Sequence, residues 1–193
     1  RGDMVHCVGV GDVFVVAGQS NAAGRSLIPL EDGPELGVHV LRASGEWSLG
    51  THPLGETTNA VHVGHFENHN PGHTPWLAFA KRLKQALGYP IGLVMSAYGG
   101  SPLRWWNPEE NGSLFYNMLE QLADYELCPK GVLWFQGETD ACEGAASDYT
   151  ERFKNFVQTV RDRLDPRLPF LTVQLNLCGV INHTVHQQTQ NIL

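Results

Sequence analysis

Three short polar stretches carry residue types suited to chemistry, and each follows an apolar run. Gly18-Gln19-Ser20-Asn21 follows "VFVVA" (13–17), "SAYGGSPLRWW" (96–106) follows "IGLVM" (91–95), and Gln136-Gly137-Glu138-Thr139-Asp140 follows "GVLWF" (131–135). Acyl transfer needs a nucleophilic oxygen, a base to take its proton, and donors aimed at the oxyanion. Ser20, on a turn bounded by Gly18 and Ala22, offers the hydroxyl, and its own N–H can face an oxyanion. Gly99 and Gly100 let backbone approach a ligand closely and offer a second N–H. The Gln136 side-chain amide offers a third. Taken singly, each has a plainer reading. Ser20 would be a helix N-cap, the glycine pair a turn, and Glu138 and Asp140 solvated loop carboxylates. Core packing does not predict that all three sets recur at one kind of position.

The elements that must carry these residues are legible from periodicity. "VFVVA", "IGLVM", "GVLWF" and "FLTVQL" (170–175) read as buried strands, apolar on both faces, with "VHVLR" (38–42) as a weaker candidate. Between them lie helical patterns. "TPWLAFAKRLKQALG" has Thr74 as N-cap, Pro75 at the first helical position, and Trp76, Phe79, Ala80, Leu83 and Leu87 as its apolar stripe, with Gly88 ending it. Helices are also expected over 113–125 and 147–164, capped by Ser113 and Ser147. Strands alternating with helices imply βαβ units and a parallel sheet covered on both faces. In such a sheet ligands bind outside the carboxyl ends of the strands, where all three polar stretches emerge. The Gly-, Pro-, His- and Asn-rich region from Leu27 to Thr74 is expected to be a long excursion with little regular structure.

Composition narrows the class. The chain has 193 residues, which suits one domain over 1–193 with a sizeable core, and its formal charge of −7 with no basic run argues against nucleic acid. No apolar stretch is long enough to insert in a bilayer. Cys7, Cys128, Cys142 and Cys178 show no C-x-x-C spacing, which argues against zinc and leaves their disulfide state open. The sequons Asn111-Gly-Ser113 and Asn182-His-Thr184 lean toward a secreted, lysosomal or periplasmic protein without deciding the compartment.

"GQSNAAG", "GGSPLRWW" and "WFQGETD", in that order across residues 18 to 140, together resemble the SGNH hydrolase superfamily. The match is to its branch of carbohydrate acetylesterases and sialate O-acetylesterases. The resemblance implies a three-layer α/β/α sandwich around a mainly parallel five-stranded sheet of flavodoxin-like type. It implies Ser20 as nucleophile, and an oxyanion hole of the Ser20 and Gly100 N–H groups with the Gln136 side chain. Glu138 would orient the catalytic histidine, Asp140 would brace its loop, and no metal or cofactor would be needed. The expected reaction is removal of O-acetyl groups from carbohydrates, sialic acid or polysaccharide, through an acyl-enzyme. Trp105 could then stack on a sugar ring, with Asn21 beside the substrate. Arg104 could meet a substrate carboxylate, although pairing with Glu109 or Glu110 competes. The alternatives are an esterase for non-sugar esters, or a catalytically silent carbohydrate-binding or scaffold module.

One part of the family pattern has no counterpart. The D-x-x-H block expected beyond the fifth strand does not follow "FLTVQLN". Asp3-Met-Val-His6 has the spacing but precedes the first strand, at the wrong edge of the sheet. His183 and His186 follow a strand, and His62, His65, His69 and His73 lie in the excursion. The chain therefore reads as the central part of a longer protein.

Overall fold

The computed structural model describes residues 9–28, 31–57, 59–61, 71–142 and 146–175. In chain order the elements are β1 (Asp12–Gly18), α1 (Ser20–Ala23), β2 (Val38–Leu41), β3 (Trp47–Leu49), α2 (Trp76–Leu87), β4 (Ile91–Met95), a 3₁₀ turn (Leu103–Trp105), α3 (Ser113–Asp124), β5 (Gly131–Phe135), α4 (Glu138–Cys142), α5 (Ala146–Arg163) and β6 (Phe170–Thr172). They form one six-stranded sheet in the order β3-β2-β4-β1-β5-β6. All neighbours are parallel except β2 and β3. The five expected strands are present in a variant of the flavodoxin-like arrangement, with β4 inserted between β2 and β1, so that β1 pairs with β4 and β5. β3 is the sixth. It arises inside the 27–74 excursion because a Ser-Gly turn folds Trp47–Leu49 back on β2, closed by Gly45 N–H to Arg42 O at 2.9 Å.

Side chains alternate between two cores, as strand geometry requires. Val15, Ala17, Val94, Val132 and Trp134 face one layer, where α3 and α5 contribute Phe115, Met118, Phe153 and Phe156. Phe14, Val16, Leu93, Met95 and Leu133 face the other, against Ala22 of α1 and Trp76, Leu77 and Ala80 of α2. Each fully buried Val, Leu, Phe or Met among them contributes about 1.5–3 kcal/mol. The central strands β1, β4 and β5 therefore anchor the sheet. β6 does not: it spans three residues rather than the six expected, pairs among the described residues only with β5, and leaves Leu171 46% exposed. An edge strand has no second neighbour to bury it.

Helix starts depart from the expected caps. α2 begins after Pro75, and the Thr74 hydroxyl donates to Ala22 O at 3.2 Å instead of capping it. At α3 the cap position is Gly112, and Asn111 Oδ1 accepts the Ser113 N–H at 3.1 Å. Ser147 is the second residue of α5. Gly88 ends α2 as expected, donating its N–H to Lys84 O at 2.8 Å, whereas Leu87 is exposed. Cys128 and Cys142 are exposed free thiols, and Cys7 and Cys178 lie outside the described residues. Among the described residues no helix is long and apolar enough to cross a membrane.

His52 sits in the packed base of the excursion, with its side chain 5% exposed and its carboxylate neighbour Asp32 3.9 Å away. Its ring lies 4.3 Å from the His73 ring, and Lys81 holds the other Asp32 oxygen. Burial, then the His73, Lys81 and Arg42 charges, lower its pKa against the opposing pull of Asp32. A lowered folded pKa means that the unfolded chain binds the proton first. Stability present above the unfolded value of about 6.5 is then lost as pH falls through the folded pKa. Melting temperatures measured across that window should fall with pH in the wild type and flatten in His52→Phe. An equal slope in both proteins would assign the acid sensitivity to other groups.

Candidate active site

β1 ends at Gly18, whose φ is +125° and whose Cβ, were there one, would lie 2.2 Å from Phe135 O. Only glycine lets the end of β1 lie this close to β5. Gln19 follows in extended conformation as the N-cap residue of α1, and its N–H donates to Phe135 O at 3.0 Å. Ser20 is thus the first residue of α1, not its cap. This one-turn helix is too short to satisfy its own carbonyls. Thr74 Oγ1 and Trp76 Nε1 donate to Ala22 O, the latter at 3.1 Å, and hold it. Ser20 is half-buried, and no described side chain hydrogen-bonds its hydroxyl.

The other two loops are laced to this turn. Tyr98 N–H and Ser101 Oγ donate to Gly18 O at 2.9 and 3.3 Å. Thr139 Oγ1 donates to Gly100 O at 3.2 Å, and Gln136 Nε2 donates to Ser101 O at 3.0 Å. Gln19 Oε1 accepts the Gly137 and Thr139 N–H groups at 3.3 and 3.2 Å. Asn21 Nδ2 donates to Glu138 Oε1 at 2.5 Å. The three polar stretches read from the sequence therefore meet at one rim. Gly100 has φ +67° with open space where a Cβ would stand. Its N–H and that of Ser20 have no hydrogen-bond partner among the described residues.

Gln136 is 2% exposed and fully engaged. Besides Ser101 O, its Nε2 donates to Asp140 Oδ2 at 2.5 Å, and its Oε1 accepts the Tyr149 hydroxyl at 2.8 Å. A side-chain amide has two N–H donors. An oxyanion could recruit Gln136 only by displacing one of these acceptors, so here it is a strut between loops. Asp140, 1% exposed, also accepts Leu103 N–H at 2.9 Å and fastens the 3₁₀ turn to α4. Burial holds the Tyr149 phenol far above its usual range, so it serves as a neutral donor.

Glu138 Oε2 is buried with no hydrogen-bond partner among the described residues. Burial raises the pKa of this carboxyl, partly opposed by its own backbone N–H and by Asn21. The adjacent tryptophans divide as their chemistry requires. Trp106 is fully buried against Trp134, with its indole N–H on Ser101 Oγ at 3.1 Å. Trp105 stays partly exposed and meets Tyr98 edge-on at 5.9 Å. Arg104 shares the turn with Trp105, and Glu110 pairs with Arg152 at 3.3 Å. Residue types alone did not single out Gln19, Ser101, Thr139, Tyr149, Thr74 or Trp76. Among the described residues no group of three candidate ligands could hold a metal. His6, His62, His65, His69, His183 and His186 lie outside the described residues.

The model of the family described as carbohydrate esterase, sialic acid-specific acetylesterase, matches residues 10–193. A probable carbohydrate esterase of Arabidopsis thaliana is 28% identical over 186 residues, covering 84% of this chain and 68% of that protein. Its crystal structure gives a TM-score of 0.80 at 25% identity, covering 94% of this chain and 81% of that one. Human sialate O-acetylesterase is 26% identical over 228 residues, covering 89% of this chain but only 41% of its own length. A carbohydrate acetylesterase from Xanthomonas citri gives a TM-score of 0.71 at 25% identity, covering 94% of this chain and 47% of that one.

The orphaned oxygen of Glu138 has a thermodynamic signature. A raised carboxyl pKa contributes stability below the unfolded value, and that contribution is lost as pH rises through the folded value. At pH 7, above the unfolded value, the buried setting of this carboxyl therefore costs stability. Glu138→Gln should melt higher than wild type at pH 7, with the difference closing as pH falls toward the unfolded carboxyl value of about 4.3. A variant less stable than wild type at pH 7 would contradict this reading.

Proposed function

The chain belongs to the family of sialic acid-specific acetylesterases among the carbohydrate esterases, and from that premise we propose that it removes O-acetyl groups from carbohydrates through an acyl-enzyme on Ser20. The supporting observation is the lacing of three strand ends around this hydroxyl. Ser20 Oγ attacks the acetyl carbonyl while an imidazole takes its proton. The negative charge on the carbonyl oxygen develops toward the unpartnered N–H groups of Ser20 and Gly100. A donor of this kind is worth about 2.7–4 kcal/mol in the transition state. The C–O bond to the sugar breaks, and the imidazolium returns its proton to the departing sugar oxygen. Water, deprotonated by the same imidazole, then attacks the acetyl-serine, and acetate leaves.

The imidazole belongs to a histidine outside the described residues. Glu138 Oε2, buried and without a partner among the described residues, is suited to accept that ring's second N–H and to stabilise the imidazolium. Trp105 offers a partly exposed ring face at the rim for a sugar. Arg104, on the same turn, carries the charge that a sialate carboxylate would meet, in keeping with the name of the human relative.

Hydrolysis of p-nitrophenyl acetate, and then of an O-acetylated sialoside, tests the proposal. Wild type should turn over both, and Ser20→Ala should lower kcat by about 10⁴-fold or more. Equal inertness of the two proteins, or equal activity, would overturn the serine mechanism.

A further inference from the structure

We infer that Gln19 and Asn21, which flank Ser20, are positioning residues that hold Glu138 beside the nucleophile. Gln19 is 4% exposed, and two backbone donors converge on one end of its amide: Gly137 N–H and Thr139 N–H, at 3.3 and 3.2 Å. Two backbone N–H groups aimed at one atom identify it as the oxygen, which fixes the orientation of the amide. These N–H groups belong to the start of α4, where backbone donors have no partner within the helix. Gln19 thus caps α4 from a distant part of the chain.

Gly137 and Thr139, on either side of Glu138, give their N–H groups to Gln19. From α1, Asn21 Nδ2 donates to Glu138 Oε1 at 2.5 Å. Glu138 is thus held through its neighbours' N–H groups by the residue before Ser20 and through its carboxylate by the residue after. Oε2 remains without a partner among the described residues, and the grip on Oε1 limits where it can point. Any drift of the α4 loop relative to Ser20 must break one of these contacts.

The inference deepens the esterase reading and rests on it for its kinetic arm only. Three variants separate the parts. Gln19→Leu removes the acceptor, Gln19→Glu keeps an acceptor oxygen but adds charge, and Asn21→Ala removes the exposed partner. Amide hydrogen exchange followed by NMR reads the cap without any turnover. Gly137 and Thr139 should exchange at least about tenfold faster in Gln19→Leu, and stay protected in Gln19→Glu. The Glu138 carboxyl, followed by NMR, should titrate higher in Asn21→Ala, which loses a bond that favours the ionised form.

In the kinetic arm, Gln19→Leu and Asn21→Ala should lower kcat by up to about 10²-fold with little change in KM. Gln19→Glu should retain turnover with the acid limb of its pH profile moved upward. A wild type without esterase activity would sink the esterase reading, while exchange and titration would still decide the positioning. Unchanged protection of Gly137 and Thr139 in Gln19→Leu overturns the inference, as does an unmoved Glu138 titration in Asn21→Ala. Should Gln19→Leu fail to fold, loss of protection in the folded Gln19→Glu variant would overturn it equally.

Discussion

The contact between Gly18 and the carbonyl of Phe135 decides where everything else at the rim can sit. β1 lies between β4 and β5, so its end is the natural meeting point of three loops. Because position 18 has no Cβ, the chain turns there against β5 without losing the pairing, and the Gln19 N–H closes on Phe135 O at 3.0 Å. Ser20 is then lifted onto a single helical turn directly above the junction. A larger residue at 18 would have to push the Phe135 carbonyl aside, and the displacement would pass to Gln136 and α4 together. The sheet and the rim are coupled through this one approach.

Above the junction, a buried polar network rather than apolar packing sets the geometry. Asp140, Gln136, Tyr149, Ser101 and the Trp106 indole are each nearly or fully buried and each hydrogen-bonded. Such a network strengthens its own bonds in a low dielectric, but any missing partner exposes a costly unsatisfied group. The result is a floor with few alternative arrangements. Glu138 Oε2 is the exception, a carboxyl oxygen kept from water with no donor among the described residues. Its unfavourable solvation is stored next to the proposed nucleophile, where a donor would relieve it. In the proposed reaction an imidazolium is that donor.

Much of the fold was legible in the sequence, because the apolar runs of β1, β4 and β5 admit little besides buried strands. What escaped reading depended on long-range partners. Thr74 looks like a helix cap, yet its hydroxyl finds Ala22 O more than fifty positions away. β3 was hidden in a region whose composition suggested only loop, since three residues after a turn carry almost no periodic signal. The tryptophan pair showed that one ring must be buried. Which one was decided by Ser101, whose hydroxyl meets the Trp106 indole. Ser20, Gly100, Glu138 and Asp140 could be named from their motifs. Gln19 could not be given its task, because its acceptor oxygen meets backbone N–H groups 118 and 120 positions distant. Gln136 was legible as a functional-looking amide, but the two acceptors that occupy it were not.

The central claim is that the hydroxyl at position 20 is the reacting atom of this laced rim. Treatment with an organophosphate that phosphorylates activated serines, followed by peptide mass spectrometry, addresses it directly. The account predicts a single adduct on the peptide carrying Ser20, formed in step with loss of ester hydrolysis. Hydrolysis lost with the adduct on any other residue, or hydrolysis surviving full modification of Ser20, would contradict it.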